Sequence, residues 1–308
     1  MVASSSADAP LCAAPDREPR APRLALPAGA CDCHAHICGP ANRFPYSDER
    51  IYTPPDATLA DYLTLLGRLG VDRAVLVQPS VYGADNAAMT EAMRIVGPGV
   101  RGVAVVDAAI SAREVEALHV AGVRGVRLNL VDRRGARNQM PVETVRALAG
   151  RIAPHGWHIE FLVNLDEADG FESEAAGLPV PIVLGHMGYP RAGARGWSDA
   201  PGFASLLRML EGGRCWVKMT GPYRISGAPD LPYEDVDAAA RQLVRAAPER
   251  LLWGTDWPHV MMKKPMPNDG DLSDLLERWI PTSDARMRIL THNPAELYGF
   301  DPAERIAP

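Results

Sequence analysis

From residue 30 onward, short apolar runs alternate with longer stretches of helical spacing. Eight runs read as strands: 30–36 (ACDCHAH), 73–80 (RAVLVQPS), 100–107 (VRGVAVVD), 125–130 (GVRLNL), 158–163 (HIEFLV), 181–188 (PIVLGHMG), 215–221 (CWVKMTG) and 251–257 (LLWGTDW). Between them, ATLADYLTLLGRLG, DNAAMTEAMRIVG, VETVRALAGRIAPHG and YEDVDAAARQLVRAAP carry apolar residues at i, i+3, i+4 and i+7. Several of these stretches end in Gly or Pro, as helices do. A strand and a helix recurring about every 30 residues make a βα unit, and eight such units close a barrel. The alternative, a doubly wound open sheet, calls for a glycine-rich GxGxxG turn after the first strand, and the sequence has none. The expectation is a single-domain α/β protein, a (β/α)8 TIM barrel over residues 30–308. Residues 1–29 are rich in Ala, Pro and Ser, carry Asp8, Asp16 and Glu18, and lack a continuous apolar run. They are expected to form a disordered leader, not a signal peptide.

In such barrels chemistry sits where the strands end. His34 and His36 close the first strand, and a spacing of two puts both rings on one face, the barrel interior. The same alternation turns Cys33 and Ala35 toward the helices and places Asp32 one layer below the histidines. His186 closes the sixth strand and Asp256 the eighth, followed by Trp257, Pro258 and His259. A lone histidine is usually structural. Three imidazoles and a carboxylate at one rim, from three strands, point to a site.

Cations gather at the same rim. Arg127 alternates with apolar neighbours and so points inward, where a guanidinium needs an anion. Arg133, Arg134 and Arg137 follow it, and Arg224 lies beyond the seventh strand. Arg127 and Arg224 suit a bidentate clamp on a carboxylate. Ser80 and Tyr52 are placed to add hydrogen bonds. His158, at the start of the fifth strand, belongs to the structural end, and the site ends of strands four and five offer Asn129 and Asn164.

Composition narrows the partners. The 308 residues are 47% hydrophobic, enough for a large core, with a net charge of −6 and a pI near 5.8. That balance argues against nucleic-acid or membrane-surface partners, and no apolar run is long enough to span a bilayer. An anionic ligand must therefore meet a local basic cluster. Five cysteines, an odd number, do not suggest a disulfide framework, and a reducing cytoplasm is the expected compartment. The run CDCHAHICG crowds thiols around the histidines, but its C-x-C spacing is not that of a structural zinc site. Its thiols read as packing.

His34-x-His36, His186 and Asp256 resemble the amidohydrolase superfamily. YTPPDA (52–57), VQPSVYG (77–83), GVRLNLV (125–131), GHMG (185–188), CWVKMTGPYRIS (215–226), GTDWPH (254–259), MPNDGDLSDLL (266–276) and NPAELYGF (293–300) resemble its 2-pyrone-4,6-dicarboxylate lactonase group. The resemblance implies a lactone hydrolase of aromatic-compound breakdown, acting on a small anionic lactone without a metal or other cofactor. It implies Asp256 as general base, with His34, His36 and His186 polarising the lactone carbonyl. Tyr52, Ser80, Arg127, Arg133, Arg224 and His259 would hold substrate, with Arg134 or Arg137 able to replace Arg133. Asn129 and Asn164, poor zinc ligands, agree with metal independence. The alternatives are a divalent metal at His34, His36 and Asp256, as in a metal-dependent decarboxylase of the superfamily, or a sister lactonase or lactone isomerase acting on a sugar-acid or sulfo-lactone. Two features depart from the group. Val260-Met261-Met262-Lys263-Lys264 stands where an Asn usually follows TDWPH, and strand five lacks the group's substrate-contacting Tyr. Oligomeric state is not legible in the sequence.

Overall fold

Eight parallel strands pair in sequence order: β1 (Cys31–Ala35), β2 (Arg73–Val77), β3 (Val100–Ala104), β4 (Val123–Asn129), β5 (His158–Leu162), β6 (Ile182–Leu184), β7 (Cys215–Met219) and β8 (Leu251–Trp253). The computed structural model describes residues 9–132, 135–190 and 196–307. The ring closes just beyond β8. The Asp256 N–H donates to His34 O and the His36 N–H to Trp257 O, both at 2.8 Å. Helices α1 (Leu59–Leu69), α2 (Ala87–Val96), α3 (Ala112–Val120), α4 (Val142–Ile152), α5 (Phe171–Ala176) and α6 (Pro201–Glu211) follow the first six strands in turn. The short α7 (Pro222–Ile225) and then α8 (Asp237–Ala246) follow β7, and α9 (Asp269–Trp279) follows β8. The expected (β/α)8 barrel is the fold.

Local sequence explains the elements. Thr58 and Asp61 form a reciprocal capping box at the start of α1, and Gly70 ends it in the left-handed conformation at φ 72°. Tyr62, Leu65, Leu66 and Leu69 form its buried stripe, at i, i+3, i+4 and i+7. The strands stop earlier than their apolar runs. β2 gives way to a 3-10 turn at Ser80, and β6 to one at His186. His186 (φ 48°) and Asp256 (φ 65°) are left-handed, which breaks the pleat and releases both residues onto turns.

The pairing of β1 with β2 slips between Asp32 and Ala35, and this corrects the expected alternation. Lys218 on β7 reaches Glu160 on β5 across the barrel, so Trp216, two residues earlier, also faces inward. Trp216 packs with Val75, Val77, Val103, Val183 and Leu252, and Cys31 and Cys33 belong to the same inner cluster. Asp32 instead turns outward, where its Oδ2 accepts from Tyr62 Oη on α1 (3.0 Å) and Thr255 Oγ1 (2.6 Å). An irregular strand thus brings Cys33 and His34 to the same side.

The leader also differs from expectation over residues 9–29, which run as a strap between the barrel and its mouth. Residues 1–8 lie outside the described residues. The Arg23 and Leu24 N–H groups donate to Asp274 Oδ1, and the Arg20 N–H donates to Asn268 Oδ1. The Cys12 N–H donates to Thr53 O, and the Thr53 N–H to Pro10 O. Composition suggested disorder, but fixed acceptors on α9 and backbone pairing at Thr53 tie the segment down.

Candidate active site

His34, His36, His186 and Asp256 meet at the C-terminal mouth of the barrel. The ring centroid of His34 lies 5.0 Å from that of His36 and 5.2 Å from that of His186. Asp256 Oδ1 lies 3.6 Å from His34 Nε2 and 3.8 Å from His36 Nε2. All four residues are buried. Gly221 makes this convergence sterically workable. It has φ 55°, and a Cβ there would stand 2.9 Å from His186 Nδ1 and 3.0 Å from Asp256 Oδ2.

The two Asp256 oxygens differ. Oδ2 accepts from Arg224 Nε (2.6 Å) and Tyr223 Oη (2.5 Å), whereas Oδ1 is buried without a hydrogen-bond partner. Burial would raise the Asp256 carboxyl, but Arg224 and then the imidazoles outweigh it and hold it well below its ordinary range. His186 is pushed down to about 3, mainly by burial, with Arg224 assisting. Burial, reinforced by His34 and Arg127, holds His36 well below its ordinary value too. Its Nδ1 lies 2.7 Å from Val77 O, which can only accept, so Nδ1 carries the proton. The neutral ring then presents a bare Nε2 toward Asp256.

Two residues beneath the histidines were not expected. Lys218 Nζ donates to Glu160 Oε2 at 2.5 Å, and both groups stand 3.2 Å from His34 Nδ1. Burial opposes the Glu160 charge, but Lys218 and His34 prevail and keep its carboxyl well below its ordinary range. Each is an ionisable residue inside an apolar strand, the signal that singled out Arg127.

Above the histidines lies a cavity of about 580 Å³. His36, Tyr52, Ser80, Arg127, His186, Arg224 and Asp256 line it. Arg127 Nη1 donates to Gln78 O (3.1 Å), and its buried Nε has no partner. Arg224 spends Nε on Asp256 and Nη2 on Val260 O. Arg137 and Lys263 are further lining cations, and Arg137 lies 3.8 Å from Glu167. Arg133 and Arg134 lie outside the described residues. His259, expected at the substrate, is absent from the described lining. At φ 60° its backbone turns the ring inward, where Nε2 meets Asp269 Oδ1 (3.1 Å) and Nδ1 meets Tyr223 Oη (2.9 Å). Asn129 and Asn164 cap their own loops, as acceptors from the Asp132 and Asp166 N–H groups.

The amidohydrolase family model matches residues 31–300, the whole barrel from β1 onward. The chain belongs to the amidohydrolase family. It is 40% identical to a 2-pyrone-4,6-dicarboxylate hydrolase of Comamonas testosteroni over 91% of this chain and 93% of that one. It is 36% identical to a 4-sulfomuconolactone hydrolase of Rhizobium radiobacter over 97% and 99%. A crystal structure from Pseudomonas putida, provisionally named a 2-pyrone-4,6-dicarboxylic acid hydrolase, superposes with a TM-score of 0.76 at 33% identity, covering 90% and 99%. Relatives of this amidohydrolase are thus named as lactone hydrolases, as the sequence motifs led us to expect.

A divalent ion fits the donor set of this amidohydrolase. His34, His36 and Asp256 offer atoms within 4.8 Å of one another, and His34 Nε2 and Asp256 Oδ1 are buried without partners. Bound there, an ion would act as a Lewis acid toward a carbonyl or a water. No helix among the described residues is long and apolar enough to cross a membrane.

Proposed function

We propose that this amidohydrolase opens a small lactone ring carrying acidic groups, of the 2-pyrone-4,6-dicarboxylate type, and needs no metal to do so. One observation carries the reading: Asp256 has one saturated oxygen and one bare oxygen, and it lines a cavity bordered by Arg127, Arg224 and Arg137. A carboxylate held ionised with a free lone pair is a general base. The cations supply the counter-charge for an anionic ring.

Asp256 Oδ1 takes a proton from a water whose oxygen bonds to the ring carbonyl carbon. The ring C–O bond then breaks, and the ring oxygen leaves as an enolate that recovers a proton and tautomerises to a keto acid. The polarising role expected of the three histidines divides between them. His36, with its proton fixed on Nδ1, accepts from the attacking water at Nε2. We assign Thr220 Oγ1, 2.8 Å from His186 Nδ1, as the donor of that pair, which leaves a His186 Nε2–H to meet the carbonyl oxygen. Tyr52, Ser80, Arg127 and Arg224 orient the acidic groups, and Arg137 joins them at the cavity wall.

Charge supports the metal-free reading. Asp256 is paired with Arg224 and Glu160 with Lys218, and Arg127 adds a further positive charge. The surroundings therefore favour an anionic substrate over a dication. Lys263 and Lys264 at the rim, with the 4-sulfomuconolactone relative, favour a sulfonated lactone as a second substrate.

Loss of pyrone absorbance measured with and without EDTA tests the reading, with 4-sulfomuconolactone run in parallel. Turnover of at least one lactone, unchanged by EDTA, is expected. Loss of activity in EDTA and its return with zinc would overturn metal independence. Absence of turnover on every carboxylated or sulfonated lactone would overturn the lactonase reading. Asp256→Asn should bind substrate without turning it over.

A further inference from the structure

Behind Asp256, three side chains make a buried line that ends away from the cavity. Tyr223 Oη lies 2.5 Å from Asp256 Oδ2 and 2.9 Å from His259 Nδ1. His259 Nε2 lies 3.1 Å from Asp269 Oδ1. The members come from α7, the turn after β8 and the first turn of α9, and all are buried. Three separate elements therefore converge on one carboxylate oxygen.

Hydrogen accounting sets the directions. The phenol has one proton and two neighbours. The ionised Asp256 carboxylate can only accept, so the phenol donates to Oδ2. The phenol oxygen then accepts from His259 Nδ1–H. On its other side, His259 Nε2 stands 3.1 Å from Asp269 Oδ1, so the ring is held at both nitrogens and cannot swing away from the phenol. With Arg224 on the same Oδ2, that oxygen is saturated and the carboxylate cannot rotate without breaking two short hydrogen bonds.

We propose that Asp269, His259 and Tyr223 are positioning residues that reserve Asp256 Oδ2 for structure and so make Oδ1 the single oxygen available to the reaction. The inference rests on the assignment of Asp256 as base. It gives a role to a histidine first expected to hold substrate, and it identifies Tyr223 and Asp269 as determinants of rate. Acting through Asp256 and not on the substrate, the line should affect kcat and spare KM.

The test uses the full-length enzyme and Tyr223→Phe, which keeps the ring and removes the hydroxyl. Expected is a fall in kcat of about 10- to 100-fold, as for loss of one preorganised donor, with KM within about twofold. Crystal structures should show one Asp256 carboxylate orientation in the wild type, with Oδ2 on Tyr223 and Arg224, and a rotated or split carboxylate in Tyr223→Phe. Wild-type kcat in Tyr223→Phe, or an unmoved Asp256 carboxylate in that variant, overturns the proposal. Should Tyr223→Phe fail to fold, Asp269→Asn reads the same line with the same expected outcomes. The crystallographic arm needs no substrate, so it decides the proposal even if no lactone is turned over. Turnover retained in Asp256→Asn would instead sink the assignment of the base.

Discussion

Lys218 donates to Glu160 at 2.5 Å directly beneath His34, with both side chains out of reach of water. The pair joins β7 to β5 across the barrel and grips the imidazole from below. Removing one partner leaves the other as an uncompensated buried charge. Lys218→Met should therefore destabilise the fold by about 3–5 kcal/mol. Chemical denaturation measures this, and Lys218→Met combined with Glu160→Gln should recover much of the loss.

Arg127 holds a partnerless Nε beside the cavity and, among the described residues, one hydrogen bond, at Gln78 O. Its remaining donors are free for an acidic group. Arg127→Met should raise KM for a dicarboxylated lactone by about 10- to 100-fold, the worth of a charged hydrogen bond, and change kcat little. Steady-state kinetics on the two proteins decide this, and an unchanged KM would remove Arg127 from the substrate clamp.

Gly221 occupies the space where His186, Asp256 and Arg224 converge. A methyl group there meets both a φ of 55° and contacts of 2.9–3.1 Å. Displacing Asp256 by a fraction of an ångström disturbs the attack geometry. Gly221→Ala should lower kcat by about 100-fold, while circular dichroism shows an intact barrel.

Acid should destabilise the protein from near pH 6.5 downward. Burial pushes His158 and His186 down to about 3 each, whereas an unfolded imidazole titrates near 6.5. Between those values the unfolded chain binds the extra protons, so stability falls as pH falls. Asp32 opposes this. Burial raises it to about 6, so it favours the fold below the ordinary carboxyl range and loses that contribution as pH rises through 6. His158 has no partner on either ring nitrogen and stands at the structural end of β5. His158→Met should flatten the acid slope by about one proton, roughly 1.4 kcal/mol per pH unit, in melts run from pH 7 to 4.

The barrel and most of its mouth were legible from strand ends and from polar residues of fixed parity. His36, His186, Asp256, Arg127, Ser80 and Tyr52 all line one cavity, and His34 packs against His36 and His186 behind its wall. Parity failed at β1, where a slip in register reverses the faces of Asp32 and Cys33, and nothing in CDCHAHICG signals such a slip. Parity was sufficient but unused at Glu160 and Lys218, two charges whose mutual neutralisation lets them sit in apolar strands. Tyr223 and Asp269 carried no signal, because their importance arises from a line that joins α7 to α9 through His259, which local pattern does not encode. His259 was misplaced for the same reason. A motif identifies the residue, and a left-handed backbone decides which way it looks.

The strap over residues 9–29 has a consequence for how the molecule is made. It leaves the ribosome before any strand of the barrel, yet its anchors, Asn268 and Asp274, lie about 250 positions later, as the sequence separations of 248 and 251 show. Contacts so distant along the chain form late. The same segment pairs with Thr53, beside Tyr52, and its Cys12 sulfur accepts from the Met261 N–H at the cavity rim. During synthesis the finished rim must therefore wait for α9. A nascent chain that has already laid down every strand still lacks the fastening that completes its mouth.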